Sequence, residues 1–148
     1  MKRDEVMAMT YDQLRIKAAE LMGAEWFVCP SSMNAGRFLA FGRAVGWRKA
    51  SGDEHEQCTG SFKIPDYPND IAAAMQLEEI AHSHGLLFDV GRVHDEPTKW
   101  HADFFLLNPV CPGNETYNEL SPFYRMLGGS PAQAITRAFI LATESTDD

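Results

Sequence analysis

The sequence predicts an α+β fold, a three-layer αβα sandwich with about three helices and a mostly antiparallel sheet. Two helix starts, at Asp70 and Ser130, lead into runs of small apolar residues. Between them, Leu86–Val93 and Lys99–Leu106 read as paired strands around the turn residues His94–Thr98. The third observation is the short aromatic and β-branched run Glu25–Cys29, which Arg37–Phe41 can answer across the polar turn Ser31–Gly36. No internal repeat or low-complexity segment divides the chain, and its 148 residues fit a single domain, 1–148, with a core of its own.

In chain order, the first helix is expected over Tyr11–Met22. Thr10 and Gln13 have the spacing of a capping box, and Gly23 supplies a left-handed stop. Leu14, Ala18, Leu21 and Met22 recur on one helical face. Thr59–Ile64 is expected to be extended before Pro65 and Pro68 break the chain.

The second helix is expected over Asp70–His84, stopping at Gly85. Its residues Ile71, Ala74, Met75, Leu77, Ile80 and Ala81 cover more than half the circumference, which predicts contact from several sides. Ala72–Ala74 predict close approach to a neighbouring helix. In the second strand of the hairpin, Trp100, Ala102, Phe104 and Leu106 alternate with His101, Asp103 and Phe105.

Asn108–Gly129 reads as a long loop, of the kind that serves as a lid, a binding loop or an interface arm. The last helix has Ser130 as N-cap, Pro131 at its first position and Gln133 completing a capping box. Ile135, Ala138, Phe139 and Ala142 form its core face, and the acidic tail 144–148 is expected to fray.

Charge is unevenly spread. Residues 1–50 hold 8 Lys/Arg against 5 Asp/Glu, whereas residues 51–148 hold 5 against 16. The net charge of −8 disfavours non-specific nucleic-acid binding by the later two-thirds. It suits a solvated acidic surface, or more sharply a surface that mimics DNA. Three well-separated cysteines, Cys29, Cys58 and Cys111, suggest reduced thiols rather than a disulfide framework. No apolar run reaches the roughly 18 residues of a membrane helix, and no secretory leader pattern follows Met1–Glu5. A cytoplasmic protein without a membrane partner is the expectation.

Tyr67–Met75, the pair Gly85–Val93 and Lys99–Phe105, and Pro131–Phe139 together resemble the phage ABA sandwich family. Its members are small proteins encoded by bacteriophages and prophages. Their pattern is a Tyr/Pro-Ser-x-Asp-Ile-Ala-Ala-Ala-Trp-like helix start and a later Ala-Ile-Cys/Thr-Arg-Ala-like helix. Met9–Leu14 with Ala18 and Met22 is similar to the family's N-terminal helix. Met75 stands where an aromatic is common, and the 108–129 segment is unusually long. The resemblance implies an αβα sandwich of phage origin and no established activity.

Chemistry-bearing patterns are sparse. No nucleophile elbow, phosphate-binding loop or dinucleotide fingerprint occurs, so neither catalytic residues nor a cofactor are expected. His82 and His84 point about 200° apart on a helix and cannot share an ion there. His101 and Asp103 fall on one strand face with Asp89 able to oppose them, a set suited to a divalent metal or to acid–base work. The plain alternative for that face is contact with solvent.

Trp26, Trp47 and Trp100, with Phe38 and Phe41, accompany Arg37, Arg43 and Arg48, as in proteins that stack single-stranded nucleic acid on a sheet. Arg37, Arg43, Trp47 and Arg48 are the candidates for that role, and an ordinary sheet core with basic flanks explains the same pattern. Tyr117, Phe123 and Tyr124 give the 108–129 segment apolar mass with which to dock on a partner. The leading expectation is a non-enzymatic accessory protein acting by protein binding or self-association. A nucleic-acid module and a metal-dependent hydrolase are the alternatives.

Overall fold

The computed structural model describes residues 1–28, 37–41, 48–49, 64–106 and 123–146. Among them the order is α1 (Arg3–Met7), α2 (Tyr11–Leu21), β1 (Glu25–Val28), β2 (Arg37–Ala40), β3 (Arg48–Lys49), α3 (Ile71–Ser83), β4 (Leu87–Val93), β5 (Glu96–Phe105), β6 (Phe123–Gly128) and α4 (Pro131–Thr146). The strands form two antiparallel three-stranded sheets, β2-β1-β3 and β4-β5-β6. The α+β class therefore stands. The single sheet expected from the sequence is, among the described residues, two.

The helix signals act where the sequence places them. Thr10 Oγ1 accepts from the Gln13 N–H at 3.2 Å, and Gln13 Oε1 accepts from the Thr10 N–H at 2.9 Å. Asp70 caps α3 by accepting from the Ala72 N–H at 3.0 Å. Gly23 and Gly85 terminate α2 and α3 at φ +98° and +87°, a region that side-chain-bearing residues rarely adopt. At α4 the reciprocal bonds are shifted by one residue. Ser130 Oγ accepts from the Gln133 N–H, but the Gln133 side chain accepts from Gly129 at 2.7 Å rather than from Ser130.

The helix α4 organises the core. Every residue from Ala132 to Ala142 except Arg137 is buried, so the helix is covered all round, well beyond the face of Ile135, Ala138, Phe139 and Ala142. It contacts α1, α2, α3, β4, β5 and β6. The Lys17–Glu144 ion pair links α2 to it, and Arg137 Nη1 donates to the Leu127 carbonyl of β6 at 2.8 Å. Gly128 makes the closest approach: a Cβ there would lie 2.6 Å from the Ala134 nitrogen.

The broad burial expected of α3 is not found. Ala73, Ala74, Leu77 and Ala81 are its buried residues, while Ile71, Met75 and Ile80 are exposed. Short alanine side chains bring α3 close to α4 on one side, and that packing leaves the larger apolar residues outside.

The loop expected over 108–129 is also corrected in part. Residues 123–128 form β6, which pairs with β5 along its whole length from Phe105↔Phe123 to Trp100↔Gly128. The hairpin turn is tighter than expected, only His94-Asp95, and the β4–β5 register slips at Arg92/Val93. Among the described residues, no helix is long and apolar enough to cross a membrane.

Candidate functional site

The β4-β5-β6 sheet has two unlike faces, because successive side chains of a strand point to opposite sides. One face carries Ala102, Phe104 and Met126, all buried in the core that includes α4. The other face is built of three rows set by register. Leu87, Phe105 and Phe123 form the first row, Asp89, Asp103 and Arg125 the second, and Gly91, His101 and Leu127 the third.

The middle row carries the electrostatics. Asp89 and Asp103 stand directly opposite each other, an arrangement of like charges that costs free energy unless it is neutralised. Arg125 supplies part of the neutralisation from the other side. Its Nε donates to Asp103 Oδ1 at 2.7 Å and its Nη2 to Oδ2 at 2.9 Å, the two-point grip of a guanidinium on a carboxylate. Asp103 is 2% exposed, so the expectation of a solvated face fails at this residue. The Asp103 hydrogen bonds hold the Arg125 guanidinium above its ordinary pKa, with the charges of Asp103 and Asp89 adding to them.

His101 completes the group. Its Nδ1 lies 3.3 Å from Asp103 Oδ2, yet this nitrogen is buried and makes no hydrogen bond. The ring lies against Gly91, where a Cβ would come within 3.0 Å of His101 Nε2. One ligand atom each from Asp89, His101 and Asp103 lies within 4.8 Å of the other two. The three residues that sequence spacing placed together are therefore together.

The first row joins this cluster to a surface. Phe123 is 44% exposed, and its ring stacks on Phe105 with centroids 6.2 Å apart. The Arg125 guanidinium lies 5.4 Å from the Phe123 ring centroid, the geometry of a cation–π contact. One arginine thus links the buried carboxylate to an exposed aromatic ring.

The other expected site residues are distributed differently. Tyr124 is half-buried and packs on the core, and Tyr117 lies outside the described residues. Arg43 and Trp47 also lie outside them, as do the three cysteines. Arg37 and Arg48 both pair with Val28, one on each side of β1, so they occupy one row of the smaller sheet. Trp26 is not part of a stacking platform. It is 8% exposed and its indole N–H donates to Glu20 Oε2 at 3.3 Å. His82 and His84 are exposed at the end of α3.

A separate apolar cleft of about 360 Å³ lies among Leu21, Ile80, Leu86, Leu106 and Phe139, with His84 at its side. It has no residue in common with the sheet-face cluster.

Two functional residues escaped the sequence reading. Arg125 lies 22 residues from Asp103, in a segment whose prolines and glycines read as loop. The signal that marks it is the short run Phe123–Leu127 between Pro122 and Gly128-Gly129. Gly91 was passed over as a strand residue, although an isolated glycine inside a strand pattern marks close approach. No protein-family model, no curated protein and no solved structure matches the chain.

Proposed function

We propose that this chain is a small accessory protein of phage type that binds a protein partner through the outer face of the β4-β5-β6 sheet. The phage setting and the bacterial cytoplasm rest on the sequence resemblance. The binding role rests on one observation: Arg125, gripped at two points by buried Asp103, lies over the exposed ring of Phe123. Arginine and aromatic side chains supply much of the energy of protein interfaces. A side chain already fixed in place loses less conformational entropy on binding.

The partner chemistry follows from these two residues. Phe123 calls for an apolar contact, and the remaining Arg125 N–H groups call for a carbonyl or carboxylate acceptor. A net charge of −8 opposes association with a second copy, which favours a foreign partner over a homo-oligomer.

The test is affinity capture from the encoding cell with two baits, the wild type and a Phe123→Ser variant, quantified side by side. The proposal expects a species that the wild type enriches and the variant loses. A set of captured proteins identical for both baits, or a wild-type dimer by light scattering that Phe123→Ser dissociates, contradicts it.

A further inference from the structure

We infer that Asp89, His101 and Asp103 form a binding site for one divalent transition-metal ion of the zinc or manganese type. This goes beyond partner binding and does not depend on it.

Four observations support the site independently of one another. The ligand atoms converge, one from each residue within 4.8 Å of the other two. An ion about 2.1 Å from each ligand keeps them no more than about 4.2 Å apart. The closure needed is therefore small, and Asp89, exposed on edge strand β4, is the side chain free to supply it. His101 Nδ1 is buried, directed at Asp103 Oδ2 and without a hydrogen bond, which is the state of a nitrogen awaiting a ligand.

Gly91 is the third observation. Its missing side chain leaves the space in which the imidazole lies across the strand, and a Cβ there would press on Nε2 at 3.0 Å. The fourth is charge. Two carboxylates face one guanidinium, so the row of Asp89, Asp103 and Arg125 by itself sums to one negative charge.

Arg125 competes for Asp103 but does not close the site. A carboxylate oxygen has two lone pairs, so Oδ2 can accept from Nη2 and still coordinate an ion. Arg125 Nε keeps Oδ1 and fixes the plane of the carboxylate, the supporting role that partners outside a metal's own ligands play. One imidazole and two carboxylates suit zinc or manganese better than magnesium or calcium, which prefer all-oxygen ligand sets. Three protein ligands leave at least one coordination position for water.

The test is calorimetric titration of zinc into chelator-stripped protein, with Asp89→Asn and His101→Gln compared against the wild type. Both variants leave the Asp103–Arg125 pair in place, and circular dichroism verifies their folding. The expected result is one ion per chain, weakened roughly tenfold or more in each variant. Failure of the wild type to take up zinc overturns the inference. So does uptake by either variant as tight as that of the wild type, which would place the metal away from these residues.

Discussion

Gly91 and His101 face each other across the β4–β5 pair, and the imidazole occupies the space that a side chain at position 91 would fill. Glycine in a strand weakens the strand by itself, so its presence here answers to the ring beside it. Gly91→Ala is expected to displace the ring and to cost about 1 kcal/mol. In a His101→Ala background the same change should cost nothing or stabilise, since the obstacle has gone. Chemical denaturation of the four proteins of this cycle measures the coupling.

Asp103 and Arg125 give a second prediction. Arg125→Met removes the partner of a carboxylate that is 3% exposed at its side chain. The expected loss is about 1–3 kcal/mol, below that of a fully buried pair because Arg125 itself is half in water. Arg125→Lys should recover only part of it, since an ammonium cannot reproduce the two-point grip. Adding Asp103→Asn to Arg125→Met should restore stability by removing the unpaired charge.

Gly128 packs against the first turn of α4 more closely than any side chain allows, with a Cβ position 2.6 Å from the Ala134 nitrogen. The obstacle is backbone, which cannot rotate away. Gly128→Ala should therefore cost at least ~2 kcal/mol, read as a lower unfolding midpoint. Gly129→Ala, whose Cβ would meet the Gln133 Oε1 at 3.6 Å, should be much milder.

Tyr67 predicts a pH dependence. It is 1% exposed, and burial pushes its phenol from 10.0 to about 12. The unfolded chain releases that proton near pH 10 while the folded chain keeps it until about 12, so its contribution is complete below pH 10 and lost as the pH rises to 12. The loss amounts to as much as about 3 kcal/mol. Tyr67→Phe should flatten this part of the stability profile relative to the wild type, as measured by urea unfolding between pH 9 and about 12.

Local signals were read well from the sequence, and long-range ones were not. The Thr10–Gln13 box, the helix start at Asp70 and the stops at Gly23 and Gly85 depend on neighbours within a few residues, and all are in place. The convergence of Asp89, His101 and Asp103 was legible because a hairpin brings them together by register alone. Arg125 was not, because its place beside Asp103 depends on a strand arriving from across the 107–122 segment. The burial of α3 was misjudged for a related reason. Periodicity records which residues are apolar, but not how many elements gather round a helix: six contact α4, while alanine-based packing leaves Ile71 and Met75 of α3 outside.

The central claim is that Phe123 and Arg125 make the contact surface. Its most direct test is the affinity of the captured partner for the wild type, Phe123→Ser and Arg125→Lys, measured by calorimetry at low and high salt. The prediction is a loss of roughly tenfold or more for Phe123→Ser, and a smaller, salt-sensitive loss for Arg125→Lys. Affinities equal for all three proteins would remove the outer sheet face from the interaction and contradict the account.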